Sequence, residues 1–330
     1  MPQNVEGYSV QTMASLRPVK SFPLNTPESI VTNIDFSDNG SLALATMNDE
    51  TMQVNNCTSG TKESLLKSMK YGCALGRFTH NDKFCIYAST KGNDDIRYLS
   101  IEEHKFVRYF SGHKNIVTSL EQNPANGIVI SCALDRTVRL WDIRSPNSVG
   151  KIAVPSPSFA TFDPMGVVFG VASQNERTIA MYDARNFDRA PFIRSSAHHI
   201  EGSWQKLEFS NDSKLMSVSS DGSVHGLFDA MDGKSRGIVT GFKPLKRALP
   251  STSPTAFTPD GKFLVGGSND NRLCVWDMSH ASDGDFNSVI VPTHETQVEI
   301  KPALVSFSPR TFLMASGDSQ FDLWLPVTYE

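Results

Sequence analysis

The chain has 330 residues, with 31 Lys and Arg against 35 Asp and Glu, a formal net charge of −4 and a pI near 6.1. That balance speaks against a protein whose main work is neutralising phosphate backbones, so no direct nucleic-acid partner is expected, and no apolar run approaches membrane-spanning length, so no membrane partner is expected either. The five cysteines, Cys57, Cys73, Cys85, Cys132 and Cys274, are odd in number and lack CxxC spacing, which reads as reduced core thiols rather than a disulfide set or a zinc site.

Residues 1–15 are polar and lack a strand pattern, so a flexible N-terminal tail is expected there. Met1 to Gln11 has no basic-then-apolar organisation, so no secretory signal is expected. A first extended segment follows around Pro18-Val19-Lys20-Ser21-Phe22. From there the chain repeats itself. A Phe, a turn and a second strand recur at Phe36-Ser37-Asp38-Asn39-Gly40, Phe78-Thr79-His80-Asn81-Asp82, Phe162-Asp163-Pro164-Met165-Gly166, Phe209-Ser210-Asn211-Asp212, Phe257-Thr258-Pro259-Asp260-Gly261 and Phe307-Ser308-Pro309. Asn-Gly and Asp-Gly at such places are hairpin turns, because their central residues must reach positive φ. A second mark ends each unit: Asn55, Leu99, Trp141, Tyr182, Phe228, Trp276 and Trp324, spaced by about 41–48 residues. An acidic or turn residue lies about six positions before most of them: Asp49, Asn93, Asp135, Glu176, Asp270 and Asp318. In the fifth unit Asp221 lies about seven before its mark, which predicts a bulge near His225-Gly226.

The third unit is the most complete. It opens on Gly112-His113 and closes on Trp141-Asp142, the two signatures of the WD40 repeat. One such unit cannot bury its own apolar face, so its neighbours must be of the same kind. The sequence therefore predicts an all-β fold, a seven-bladed WD40 β-propeller over residues 16–330. The last unit holds only three strand patterns before Glu330. Its missing outer strand is supplied by the segment near Val19 to Phe22, which joins the ring and protects its edges.

Several residues carry candidate roles. His113, Ser131, Asp135 and Trp141 resemble the buried network of a WD40 blade. A Ser, a His and an Asp also invite a hydrolase reading, but buried polar groups that satisfy one another are first of all structural. Asn55 and Leu99 stand where other units have an aromatic ring, so the first two blades must close their cores differently. Gly233-Lys234-Ser235-Arg236-Gly237 matches GxSxG without the strand-then-helix context of a nucleophile elbow, and reads as a turn between outer strands. His294-Glu295-Thr296-Gln297-Val298 begins like HExxH without the second His and is placed in an inter-blade connection. No phosphate-cradling glycine loop is present, and no metal or cofactor is expected. The connections from outer to next inner strand, and from second to third strand, share one face. Tyr71, Arg77, Lys114, Arg136, Arg177, Trp204 and Arg272 are assigned to that face as candidate partner-binding residues, because aromatic and Arg side chains dominate interfaces and Arg pairs with carboxylate or phosphate.

The chain also resembles a particular family. Lys70-Tyr71-Gly72-Cys73, Phe78-Thr79-His80, Arg108-Tyr109-Phe110-Ser111-Gly112-His113, Leu140-Trp141-Asp142-Ile143-Arg144-Ser145-Pro146-Asn147, Phe162 to Phe169 and Trp204 to Ser210 carry the likeness. It is similar to the small WD40 subunit of COMPASS-type histone methyltransferase complexes, a family shared with the nuclear cleavage and polyadenylation machinery and its type one protein phosphatase module. The likeness runs over nearly the whole chain; the N-terminal dozen residues and Asp283 to Glu299 are more individual. The resemblance implies a non-catalytic scaffold in the nucleus. Its partners would be a methyltransferase N-terminal region or a phosphatase-regulatory subunit, near RNA polymerase II and its phosphorylated tail. Two other classes compete with it. Trp141-Asp142-Ile143-Arg144 fits the WDxR box of cullin ubiquitin-ligase substrate receptors, and Tyr182-Asp183-Ala184-Arg185 fits it loosely. A propeller hydrolase would need catalytic groups converging on the central channel, whereas the polar sets here are spread one per blade.

Overall fold

The computed structural model describes residues 7–246, 254–281 and 288–327. Seven sheets, antiparallel apart from one added edge strand in the fifth, stand around an axis, and inner strands of adjacent blades pack against one another all the way round, including the first against the seventh. Each blade runs from an inner strand at the channel to an outer strand at the rim. The third is typical: Val117–Gln122, Ile128–Ala133, Thr137–Asp142 and Ser148–Ala153. The second strands are sandwiched between neighbouring blades and read as near-continuous buried runs, such as Phe263–Gly267. Outer strands alternate, as Ser148–Ala153 does, because only one of their faces meets another blade. Every repeat mark, from Asn55 to Trp324, falls on a third strand.

The glycines in the first-to-second turns take the left-handed conformation those turns demand: φ is 71° at Gly40, 68° at Gly166 and 73° at Gly261. Inner strands carry an extra residue near their start, with register shifts between Val117 and Ser119 and between Trp204 and Lys206. These bulges re-aim a side chain at the next blade or connection. Thr118 Oγ1 donates to the Ser158 carbonyl at 2.6 Å, and Gln205 Nε2 to the Leu245 carbonyl at 3.2 Å.

Ring closure follows the expected route. Leu16–Phe22 pairs antiparallel with Phe321–Pro326 and completes blade seven. The tail expectation needs correction. Residues 1–6 lie outside the described residues, but Val10–Ala14 is a short helix whose N-cap Ser9 accepts from the Thr12 amide. Met13 is fully buried with Trp324 and Met314, and Tyr8 stacks on Phe312 at 4.2 Å. The apolar face of this one turn, not its polarity, decides its place.

Blade five departs from four strands. After the third strand of blade six, Arg272–Asp277, the chain returns through Val289–Ile290, which pairs in parallel with the outer strand of blade five, Ser235–Val239. It then crosses Pro292 and becomes the outer strand of blade six, His294–Gln297. The His294-Glu295 pair therefore sits in a strand, not in an inter-blade connection. The bulge expected at His225-Gly226 is also displaced. Val218 pairs regularly with Gly226, and the irregularity lies between Leu227 and Phe228. The extra residue is taken up by the turn, which His225 Nδ1 closes by accepting from the Ser220 amide at 3.2 Å.

Candidate functional site

The third blade brings His113, Ser131, Asp135 and Trp141 into one chain of hydrogen bonds. The Trp141 indole can only donate, and does so to Ser131 Oγ at 2.9 Å. The Ser131 hydroxyl donates onward to His113 Nε2 at 2.7 Å, and His113 Nδ1–H to Asp135 at 3.1 Å. Asp135 also accepts from the Lys114 amide at 2.9 Å and from the Thr137 hydroxyl at 2.7 Å. Thr137 was not singled out from the sequence. Its signal was the hydroxyl two residues after the turn acid, repeated by Thr51 after Asp49. Burial pushes His113 below its ordinary value, against the pull of Asp135. Burial works against the Asp135 carboxylate, yet Thr137, the Lys114 amide and His113 outweigh it and hold its pKa low. The pair is thus a neutral imidazole on an ionised carboxylate. Ser131 and Trp141 are wholly buried, so no substrate reaches the hydroxyl. Blade seven repeats the motif in part, with Trp324 Nε1 donating to Ser316 Oγ at 2.8 Å.

Blade five holds a second buried histidine, which the sequence marks only as part of an expected bulge. His225 is buried, stacks on Phe242 at 4.0 Å and meets Trp276 edge-on at 6.5 Å. Burial alone pushes its pKa down to about 3. Below an unfolded value of about 6.5 the unfolded chain binds a proton that the folded chain refuses. The contribution of this residue is therefore complete above about pH 6.5 and falls by about 1.4 kcal/mol per pH unit as pH drops toward the folded value. Denaturant unfolding of the protein and of His225→Phe between pH 7 and pH 5 should show the steeper loss in the parent. Parallel slopes would contradict this account.

The seven residues assigned to one face separate in the structure. Lys114 and Arg136 lie exposed on the outer-to-inner and second-to-third connections, and Arg136 takes a left-handed φ of 60°. Tyr71 is half-buried on the same face, beside Arg97. Arg177 and Arg272 are on the face but engaged: Arg177 Nη1 donates to the Ile200 carbonyl at 2.8 Å, and Arg272 pairs with Asp270 at 2.9 Å and Glu295 at 2.5 Å. Two assignments are corrected. Trp204 begins an inner strand and is 2% exposed, covered by the Arg177 guanidinium 5.3 Å from its ring. Arg77 is not at this face. It lies deep in the channel, near the far end of Ala74–Phe78, bonded to Asp35 at 3.0 Å, Glu121 at 3.4 Å and the Leu120 carbonyl at 3.0 Å.

Around Arg77 the channel holds Asp35, Glu121, Lys206 and Glu208, with Lys206 and Glu208 paired at 3.0 Å. Burial raises Asp35, and Arg77 and the Phe78 amide only partly offset it. Burial also disfavours the Arg77 charge, but Asp35 and Glu121 outweigh that effect. The sequence carried a sign of this ring. The residue before each Phe landmark, including Asp35, Arg77, Thr161, Glu208 and Ser306, lines the channel. On the opposite face the first-to-second turns clasp one another: His80 bonds Asp38 at 2.6 Å and the Asn123 carbonyl at 3.0 Å, and Asn123 reaches the Gly166 carbonyl at 2.8 Å.

Seven radial blades, a ring completed by the N-terminal strand and the Trp-Ser-His-Asp network define a WD40-repeat β-propeller. The WD domain, G-beta repeat family model matches residues 104–142 and 253–277. WD repeat-containing protein 82 of Drosophila melanogaster is 36% identical over 317 residues, 96% of each chain. COMPASS component SWD2 of Saccharomyces cerevisiae is 34% identical over 320 residues, 93% of this chain and 94% of that one. Set1 complex component swd2 of Schizosaccharomyces pombe is 30% identical over 348 residues, 94% and 97% of the two. The chain belongs to the family of WD repeat-containing protein 82 and Swd2.

Proposed function

We propose that this protein is a non-catalytic, nuclear scaffold subunit of a COMPASS-type histone methyltransferase complex, and that it holds an N-terminal region of the methyltransferase. The likeness over nearly the whole chain to components of COMPASS and the Set1 complex carries this reading. The sealed Ser131 supports the non-catalytic role, since its hydroxyl is spent between Trp141 and His113. Arg144 of the WDxR box is exposed and pairs with Asp142 at 2.7 Å, a surface contact that a partner can replace, so the ligase reading is separated by experiment. Affinity purification with mass spectrometry tests the reading. Methyltransferase subunits should dominate; polyadenylation factors with a type one phosphatase, or a ubiquitin-ligase adaptor, in their place would assign the protein elsewhere.

The face that carries Tyr71, Lys114 and Arg136 is the proposed seat of the partner segment, with Arg177 and Arg272 as its fixed frame. A rigid ring with many loops on one face suits extended peptides. Lys114→Glu with Arg136→Glu should reduce methyltransferase recovery roughly ten-fold, the equivalent of about 1.4 kcal/mol. Both side chains are exposed, so the fold should be unchanged by circular dichroism. Full recovery would remove this face from the proposal.

A further inference from the structure

The outer strand of blade two, Lys105–Phe110, differs from the rim strands of the other blades. Phe106 is 37% exposed, Val107 48% and Tyr109 45%. Among the described residues no other rim strand exposes more than one large apolar side chain. The three do not point at random. Tyr98 pairs with Arg108 while Leu99 pairs with Phe106, so Val107 is the bulged residue. That bulge puts Phe106 and Tyr109 on one side, with ring centres 5.3 Å apart, and Tyr71 joins Phe106 edge-on at 5.9 Å.

The platform is held from beneath. Arg97 is 2% exposed and lies 3.4 Å from the Tyr71 ring, 4.9 Å from Tyr109 and 5.4 Å from Phe106. Its Nε donates to Ser89 Oγ at 2.8 Å and its Nη2 to Asn93 Oδ1 at 3.1 Å. A fixed cation under three rings gives a rigid aromatic surface with a positive bias. Lys70 adds a second cation 5.0 Å from the Tyr71 ring. The strand itself contains Lys105 and Arg108 and no carboxylate.

Among the described residues no strand follows Lys105–Phe110 in its sheet, so alternate amides and carbonyls along it face outward. This molecule already shows what a blade edge can accept. Blade five takes a fifth strand, Val289–Ile290, from elsewhere in the chain. We propose that the outer edge of blade two accepts a fifth strand from a partner protein, an extended acidic segment with alternating apolar side chains. Main-chain hydrogen bonds to Lys105–Phe110 supply the pairing, and an apolar side chain packs across the exposed surfaces of the touching Phe106 and Tyr109 rings. A second copy of this chain is the poorer occupant, because like-charged strands would be brought side by side. The site goes beyond the loop face proposed above and meets it only at Tyr71.

The test uses the full chain and a fluorescein-labelled ten-residue peptide that alternates Val with Glu and Asp, against its Lys counterpart. The acidic peptide should bind saturably, the Lys peptide should not, and hydrogen exchange should slow at the Val107 and Tyr109 amides. Phe106→Ser with Tyr109→Ser should weaken binding at least ten-fold. Val107→Glu, on the exposed bulge, should act in the same direction without touching the core. Lys114→Glu with Arg136→Glu should change the affinity less than two-fold, which separates this site from the loop face. Equal binding of both peptides, no binding, protection confined to other strands, or loss only in the Lys114 and Arg136 variant would each overturn the proposal. So would a dimer of the parent that becomes monomeric in the Phe106 and Tyr109 variant.

Discussion

Trp141→Ala is expected to destabilise the protein by about 3–5 kcal/mol, the range for large aromatic truncations in a packed core. The indole is fully buried, 5.8 Å from Phe110 and against the cluster of Ile86, Ala88 and Ile96 in blade two. Its loss opens a cavity between two blades rather than within one. It also removes the donor that fixes Ser131 Oγ while the serine hydroxyl donates to His113 Nε2. Asp135→Ala should cost less, about 1–3 kcal/mol, by stripping the acceptor from His113, Thr137 and the Lys114 amide. Denaturant unfolding followed by tryptophan fluorescence and circular dichroism checks both. A midpoint unchanged from the parent in either variant would contradict the buried network.

Removing residues 1–23 is expected to abolish the cooperative native state. The deletion takes the fourth strand of blade seven and its six paired positions with Phe321–Pro326. It also removes Met13, Leu16 and Phe22, all buried. At about 1.5–3 kcal/mol for each such side chain, the loss is comparable with the whole stability of a typical domain, about 5–15 kcal/mol. The exposed edge of the Trp324 strand then becomes a template for association. Gel filtration should show aggregates, and a synthetic peptide covering residues 8–23 should restore the monomer. A truncated chain that melts as sharply as the parent would show that the ring does not depend on this strand.

The blade count and the closure were legible because both rest on signals that repeat. Seven third-strand marks from Asn55 to Trp324, with turn acids before them, need only local hydrogen bonding and two-sided burial. The network of blade three was legible because its four residues sit at fixed offsets. What the sequence hid depends on depth or on distance. Arg77 reads as a surface cation, but it lies one residue before Phe78, a position that points into the channel in every blade. Trp204 looks like an interface anchor, and becomes core because Arg177 and Ile200 close over it. Val289–Ile290 is too short to carry a strand signal, and its partner strand is some fifty residues earlier. Arg97 gives no hint that three rings will surround it, since Tyr71 comes from the connection before blade two and Phe106 and Tyr109 from the outer strand of that blade.

The crossing segment from Ser288 to Gln297 has a consequence for how the molecule comes apart. In a radial array each unit touches only its neighbours, so local opening can stop at a blade boundary. Here one continuous run bonds first to the rim of blade five, through Ile238 and Thr240, and then to the third strand of blade six. Neither sheet can peel away without surrendering part of the other's backbone pairing. Blades five and six thus form a single cooperative opening unit, and by this device a propeller of seven sheets has six independent points of weakness.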